Sequence, residues 1–174
     1  MKRAFTLIEV NLAMLIMAGG IFAIVGLYAF GFRESRQSTE DVASAAYADA
    51  VLSPLVMAIT STNIKWSTFN SFSSQPSDYG WSDYFDNNTG LIKGDPEAKA
   101  KQVYNFIIGR FSDSKVNMSW PTDAAAGLKA GLVVLHDRDS AVVKIGFRAS
   151  KLPSMLMSAP FYYTEARFQG VVDQ

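Results

Sequence analysis

A run of apolar residues from Val10 to Phe32, broken only by Asn11, limits this chain more than any other feature of it. About 20 such residues in a helix cross the hydrocarbon of a bilayer, so the run predicts a membrane span. Lys2 and Arg3 precede it and Phe32-Arg33-Glu34-Ser35-Arg36 follows. Basic residues stay on the cytoplasmic side, which sends the rest of the chain out of the cytoplasm. A secretory signal peptide has a shorter apolar core and a small-residue cleavage site after it, and neither is found here. A plain signal anchor fits the length and polarity but leaves Glu9 unexplained. Driven to the bilayer centre, a carboxylate costs about 2.5–3.5 kcal/mol, so Glu9 either snorkels to the head groups or finds a counter-charge.

The order of residues narrows the choice. Two basic residues, the small Ala4, Phe5-Thr6-Leu7-Ile8-Glu9 and then the apolar run resemble, from Lys2 to Ile24, the N-terminus of type IV prepilins and of type II secretion pseudopilins. The resemblance implies a leader of residues 1–4, cut by a prepilin peptidase between Ala4 and Phe5, with methylation of the new amino terminus of Phe5. It also implies that Glu9 pairs with the Phe5 amino terminus of a neighbouring subunit during filament assembly. The implied partners are other pilin or pseudopilin subunits, the peptidase and an inner-membrane assembly platform. The implied location is the inner membrane, in a single pass, with the N-terminus cytoplasmic and a globular domain in the periplasm. The family usually carries Gly where Ala4 stands, and Ala is small enough for the same pocket. Many pilins close a C-terminal loop with a disulfide; this chain has no cysteine, which leans towards a minor pseudopilin. The residues alone agree: a poorly solvated carboxylate and a free amino terminus on an adjacent helix neutralise each other, and their pairing sets helix register.

Of 174 residues, about 140 lie beyond the apolar run, enough for one modest domain. The formal net charge is zero, which gives no sign of a nucleic-acid surface. The absence of cysteine removes disulfides, thiol catalysis and cysteine metal sites.

The expected organisation is a transmembrane half-helix over 5–32, an extramembrane continuation over 33–62, and a globular domain over 63–174. Gly19, Gly20, Gly26 and Gly31 soften the span or let helices pack closely. Beyond Arg33, the residues Val42, Ala45, Ala46, Asp49, Leu52, Leu55, Val56 and Ile59 recur near the helical period and predict the stripe that faces the sheet. Pro54 predicts a kink or restart. Residues 64–94 mix Ser, Asn, Asp and Gly with Trp66, Phe69, Phe72, Tyr79, Trp81, Tyr84 and Phe85, which reads as a packed connection with aromatics on the core. The cluster from Asp83 to Gly90 offers oxygen ligands, but its spacing is not that of an EF-hand and turns use the same residues.

Asp95-Pro96-Glu97 predicts the start of a second helix over 95–111, with Val103, Tyr104, Ile107, Ile108 and Phe111 as its apolar face. Leu132–His136 and Ala141–Arg148 flank Asp137–Ser140 as a hairpin, and Phe161–Gln169 alternates as a third strand. An antiparallel sheet over 132–172, laid on the stripe of the long helix, gives an α+β fold, which resembles the globular half of pilins. Between the strands, Lys151–Pro160 carries Met155, Leu156 and Met157, soft side chains that suit either a subunit contact or core filling. His136 beside Asp137 superficially suggests a base and its orienting acid. No nucleophile motif, phosphate loop or metal spacing accompanies it, so it reads as a surface histidine at a hairpin end and the chain as non-enzymatic, with no catalytic residue, metal or cofactor. Three functions follow: a filament subunit assembled through Glu9, a membrane-anchored binding module using the aromatic connection, and an anchored hydrolase.

Overall fold

The computed structural model describes residues 6–71, 81–86, 89, 92–115, 118–125, 127–137 and 139–172. Two compact units, Met1–Glu40 and Asp41–Gln174, divide the chain. The elements are α1 (Leu7–Ile59), α2 (Trp66–Ser71), α3 (Pro96–Arg110), β1 (Lys129–His136), β2 (Val142–Ser150) and β3 (Phe161–Arg167). The fold is α+β, with the end of the long apolar helix packed on a small antiparallel sheet, as the sequence predicts.

In the first unit, α1 is helical without interruption through Gly19, Gly20, Gly26 and Gly31. None of its large apolar side chains is buried: exposure runs from 44% at Val10 to 81% at Leu7. A surface of this kind has no place in water, and the helix is long and apolar enough to cross a membrane.

In the second unit, α1 buries Ser44, Tyr47, Ala48, Val51, Leu52, Leu55, Ala58 and Ile59. Leu52, Leu55 and Ile59 belong to the predicted stripe. Val42, Ala45, Ala46 and Asp49 of that stripe are exposed and Val56 is half-buried. The face is rotated because Tyr47, not the adjacent alanines, supplies the larger apolar area. Its ring meets Trp120 and Phe147 edge-on at 6.0 and 5.3 Å, and burying a side chain of that size is worth about 1.5–3 kcal/mol. Pro54 does not restart the helix. Proline costs one backbone hydrogen bond, and the core contacts of Val51, Leu55 and Ala58 on either side hold the helix together across it.

The second helix begins as predicted. Asp95 is its N-cap, accepting from the Glu97 N–H at 3.0 Å, and Pro96 opens the first turn. Ala100, Val103, Tyr104, Ile107 and Phe111 are buried. The aromatic connection contains a short helix, α2, that no sustained period announces. It sets Phe69 at 0% exposure, within ring contact of Phe111, His136 and Phe168. Phe72 and Tyr79 lie outside the described residues. The end of the chain clasps the same region: Trp66 N–H donates to Val171 O and Val171 N–H to Ile64 O, both at 2.9 Å. Gly170 permits this clasp, since a Cβ there would lie 1.9 Å from the Ile64 carbonyl.

The sheet has the order β1-β2-β3, with His136 opposite Val143 and Gly146 opposite both Val133 and Tyr163. β1 begins three residues earlier than Leu132 and is buried along most of its length, because it is covered on both faces. Gly131 makes room for this: a Cβ on it would stand 2.9 Å from both Leu156 and Trp81. Leu156 is therefore core, while Met155 and Met157 of the same loop are exposed.

Candidate assembly interface on the N-terminal helix

Thr6 and Glu9 define the start of α1. The Thr6 backbone N–H and hydroxyl both donate to Glu9 Oε2, at 2.9 and 3.0 Å. The Glu9 N–H donates to Thr6 Oγ1 at 3.4 Å. This is a reciprocal capping box, which satisfies donors that the first helical turn leaves over and sets a negative charge at the positive end of the helix dipole. One carboxylate oxygen takes both side-chain-directed bonds; Oε1 has no partner among the described residues. Glu9 is thus oriented by its own helix and still offers an oxygen outward. Thr6 was legible as a functional partner in the T-x-x-E spacing of Thr6-Leu7-Ile8-Glu9, a signal eclipsed by the apolar run behind it. Ala4 and Phe5, the predicted cleavage and methylation residues, lie outside the described residues.

Around this end of α1, exposed apolar side chains occur on every side of the helix. Neither Gly19, Gly20, Gly26 nor Gly31 has any atom within 4 Å of where a Cβ would stand. The small positions are therefore open to a neighbouring helix rather than filled from within the chain.

The remaining candidates are structural. His136 is buried at 6% exposure rather than at the surface, because Ser140 turns back over it. Its Nε2–H donates to the Ser140 carbonyl at 2.7 Å and its ring stands edge-on to Phe69 at 4.9 Å. The Asp139 turn that closes this loop has φ 62° and is tied to α2 by paired bonds with the Asn70 amide, both 3.0 Å. Glu97 holds Lys129 at 2.8 Å and Lys101 at 3.1 Å, pinning the first turn of α3 to the start of β1. Burial pushes the Glu97 carboxyl up, but the hydrogen bonds and charges of Lys129 and Lys101 outweigh it and hold the group below its ordinary range. Among the described residues no group of three His, Asp or Glu side chains is placed to hold a metal. Asn87, Asn88 and Gly90 of the Asp83–Gly90 cluster lie outside those residues.

No protein-family model, no curated protein and no solved structure matches this chain.

Proposed function

We propose that this chain is a structural subunit, of the minor pseudopilin kind, of a type II secretion pseudopilus or related type IV pilus-like filament. The observation that carries the reading is the order Lys2-Arg3-Ala4-Phe5-Thr6-Leu7-Ile8-Glu9 running directly into a helical segment, residues 7–36, whose large apolar side chains are all exposed. A prepilin peptidase removes residues 1–4 and methylates the amino group of Phe5. The subunit waits in the inner membrane with its N-terminus cytoplasmic and its globular domain in the periplasm, and an assembly platform moves it into the filament. There its helix exchanges lipid for the helices of neighbouring subunits. Glu9, already oriented by Thr6, meets the Phe5 amino terminus of an adjacent subunit, and both charges are neutralised in a medium that solvates neither. The chain itself does no chemistry.

The capping box favours a second reading, in which Glu9 only caps the helix of a plain membrane anchor. Glu9→Gln separates the two, because glutamine completes a capping box as glutamate does but carries no charge. Losing one member of a desolvated charge pair costs about 2–5 kcal/mol. On the filament reading, Glu9→Gln and Glu9→Ala therefore both fall about thirtyfold or more in incorporation into sheared filaments with wild-type partner subunits. Incorporation of Glu9→Gln at the wild-type level rejects the charge pairing.

A further inference from the structure

The two edges of the sheet are treated differently. At the β1 edge the buried Tyr84 hydroxyl takes both outward backbone groups of Leu132, accepting from Leu132 N–H at 3.0 Å and donating to Leu132 O at 2.6 Å. Among the described residues no such bonds are made at β3. The bond from Phe168 N–H to Ala141 O fixes the phase of the β2–β3 ladder, so Tyr162, Thr164 and Ala166 spend their backbone groups on β2. The N–H and C=O groups of Phe161, Tyr163, Glu165 and Arg167 then point outward, and no partner for them occurs among the described residues. The register is continuous from Val142↔Arg167 to Arg148↔Phe161, without a bulge, β3 contains no proline, and its two charged residues, Glu165 and Arg167, lie on the face of the strand away from Tyr162. Bulges, proline and inward-pointing charges are the devices that usually blunt an open edge.

Beside this edge runs a groove of about 580 Å³ between α1 and β3, lined on the helix side by Ala48, Asp49, Leu52, Val56 and Met57. Tyr162 crosses to α1 in the same region, its hydroxyl 2.7 Å from Ser44 Oγ, which fixes the strand against the helix. Phe161 and Tyr163 stand exposed on the opposite face.

We propose that the β3 edge and this groove receive an extended segment of another protein chain, which adds to the sheet as a fourth strand. The outward N–H and C=O groups select an extended backbone. Its inward side chains, at every second position, are apolar and lie on Leu52, Val56 and Met57, and a lysine or arginine at one end meets Asp49. The proposal concerns the globular unit alone and does not depend on the filament reading.

Residue-resolved amide exchange on the full-length chain in detergent micelles tests it. The probes are seven-residue peptides alternating valine or isoleucine with threonine, carrying lysine at one end or the other, at about 1 mM, a concentration suited to weak recognition. Without peptide, the amides of Tyr163, Glu165 and Arg167 exchange freely while those of Tyr162, Thr164 and Ala166 are protected. With peptide, the first set slows by about tenfold or more, and the lysine peptides act at lower concentration than lysine-free controls. Glu165→Pro, which removes an outward donor and leaves the β2 ladder intact, abolishes the effect while the amides of Tyr162, Thr164 and Ala166 stay protected. The proposal is overturned if no peptide slows the outward amides. It is equally overturned if they are slowed by raising the protein concentration alone, which would make a second copy the occupant, or by detergent alone.

Discussion

Removing one oxygen atom from Tyr84 isolates its two bonds to Leu132 at the β1 edge. In Tyr84→Phe the ring keeps its position beside Trp81, 5.6 Å between centroids, and under Lys99, so packing is unchanged. Two hydrogen bonds are lost, and both belong to Leu132, whose N–H and C=O are left in a site where Tyr84 and Leu132 are each at 0% exposure. An orphaned buried backbone group costs about 1–3 kcal/mol. Partial relaxation of a strand edge keeps the pair towards the low end, for a total of about 2–4 kcal/mol. A unit of this size loses about 3–5 °C per kcal/mol, so the melting temperature falls by roughly 10 °C. Thermal unfolding of the full chain in micelles, followed by near-ultraviolet circular dichroism, measures the shift, and the exchange rate of the Leu132 amide should rise in parallel. A drop under about 0.5 kcal/mol, the range of an ordinary surface substitution, would mean that water already reaches Leu132 and that its backbone groups do not depend on Tyr84.

Burial and the charge of Glu97 push the Tyr47 hydroxyl up to about 12 from 10.0. A group that holds its proton more tightly when folded stabilises fully below its unfolded value and loses that contribution above it. Stability should therefore fall from pH 10 towards pH 12, and Tyr47→Phe should flatten that limb in a urea-unfolding series while changing stability by no more than about 1 kcal/mol at neutral pH. The Glu97 carboxyl, held below its ordinary range, contributes above its unfolded value and is lost as pH falls through the folded one, so Glu97→Gln should flatten the acid limb below about pH 4.5. Gly170→Ala should cost about 1–3 kcal/mol or more and open the clasp between Ile64 and Val171, read as loss of protection at the Trp66 and Val171 amides.

The parts of the fold that the sequence announces are those where one local signal acts alone. Asp95-Pro96-Glu97 combines a cap, a fixed φ and an acid in the first turn, and α3 begins there. The hairpin is equally local, two apolar runs about a polar turn. The stripe of α1 is harder, because Ala45, Ala46 and Tyr47 are neighbours and only the facing Trp120 and Phe147, distant in sequence, decide which side is buried. α2 has six residues, too few for a period, and is held by Phe69 and by the chain end at Val171. The first residues of β1 are not announced by the sequence because a glycine such as Gly131 weakens a strand pattern, whereas the packing of Trp81 and Leu156 requires it. His136 looked like a surface residue because nothing in its own run foretells that Ser140 turns back over it. Glu9 stands out as a lone carboxylate at the head of the apolar run, yet its bond to Thr6 is visible only once the T-x-x-E spacing is read as a helix start.

The measurement that bears most directly on the central claim is the intact mass of the N-terminus after co-expression with a prepilin peptidase. The account predicts a product that begins at Phe5 and carries one added methyl group. A chain that keeps Lys2 and Arg3 under conditions where a control prepilin is fully processed would contradict it, and would leave the exposed helix of residues 7–36 as a membrane anchor for the sheet unit.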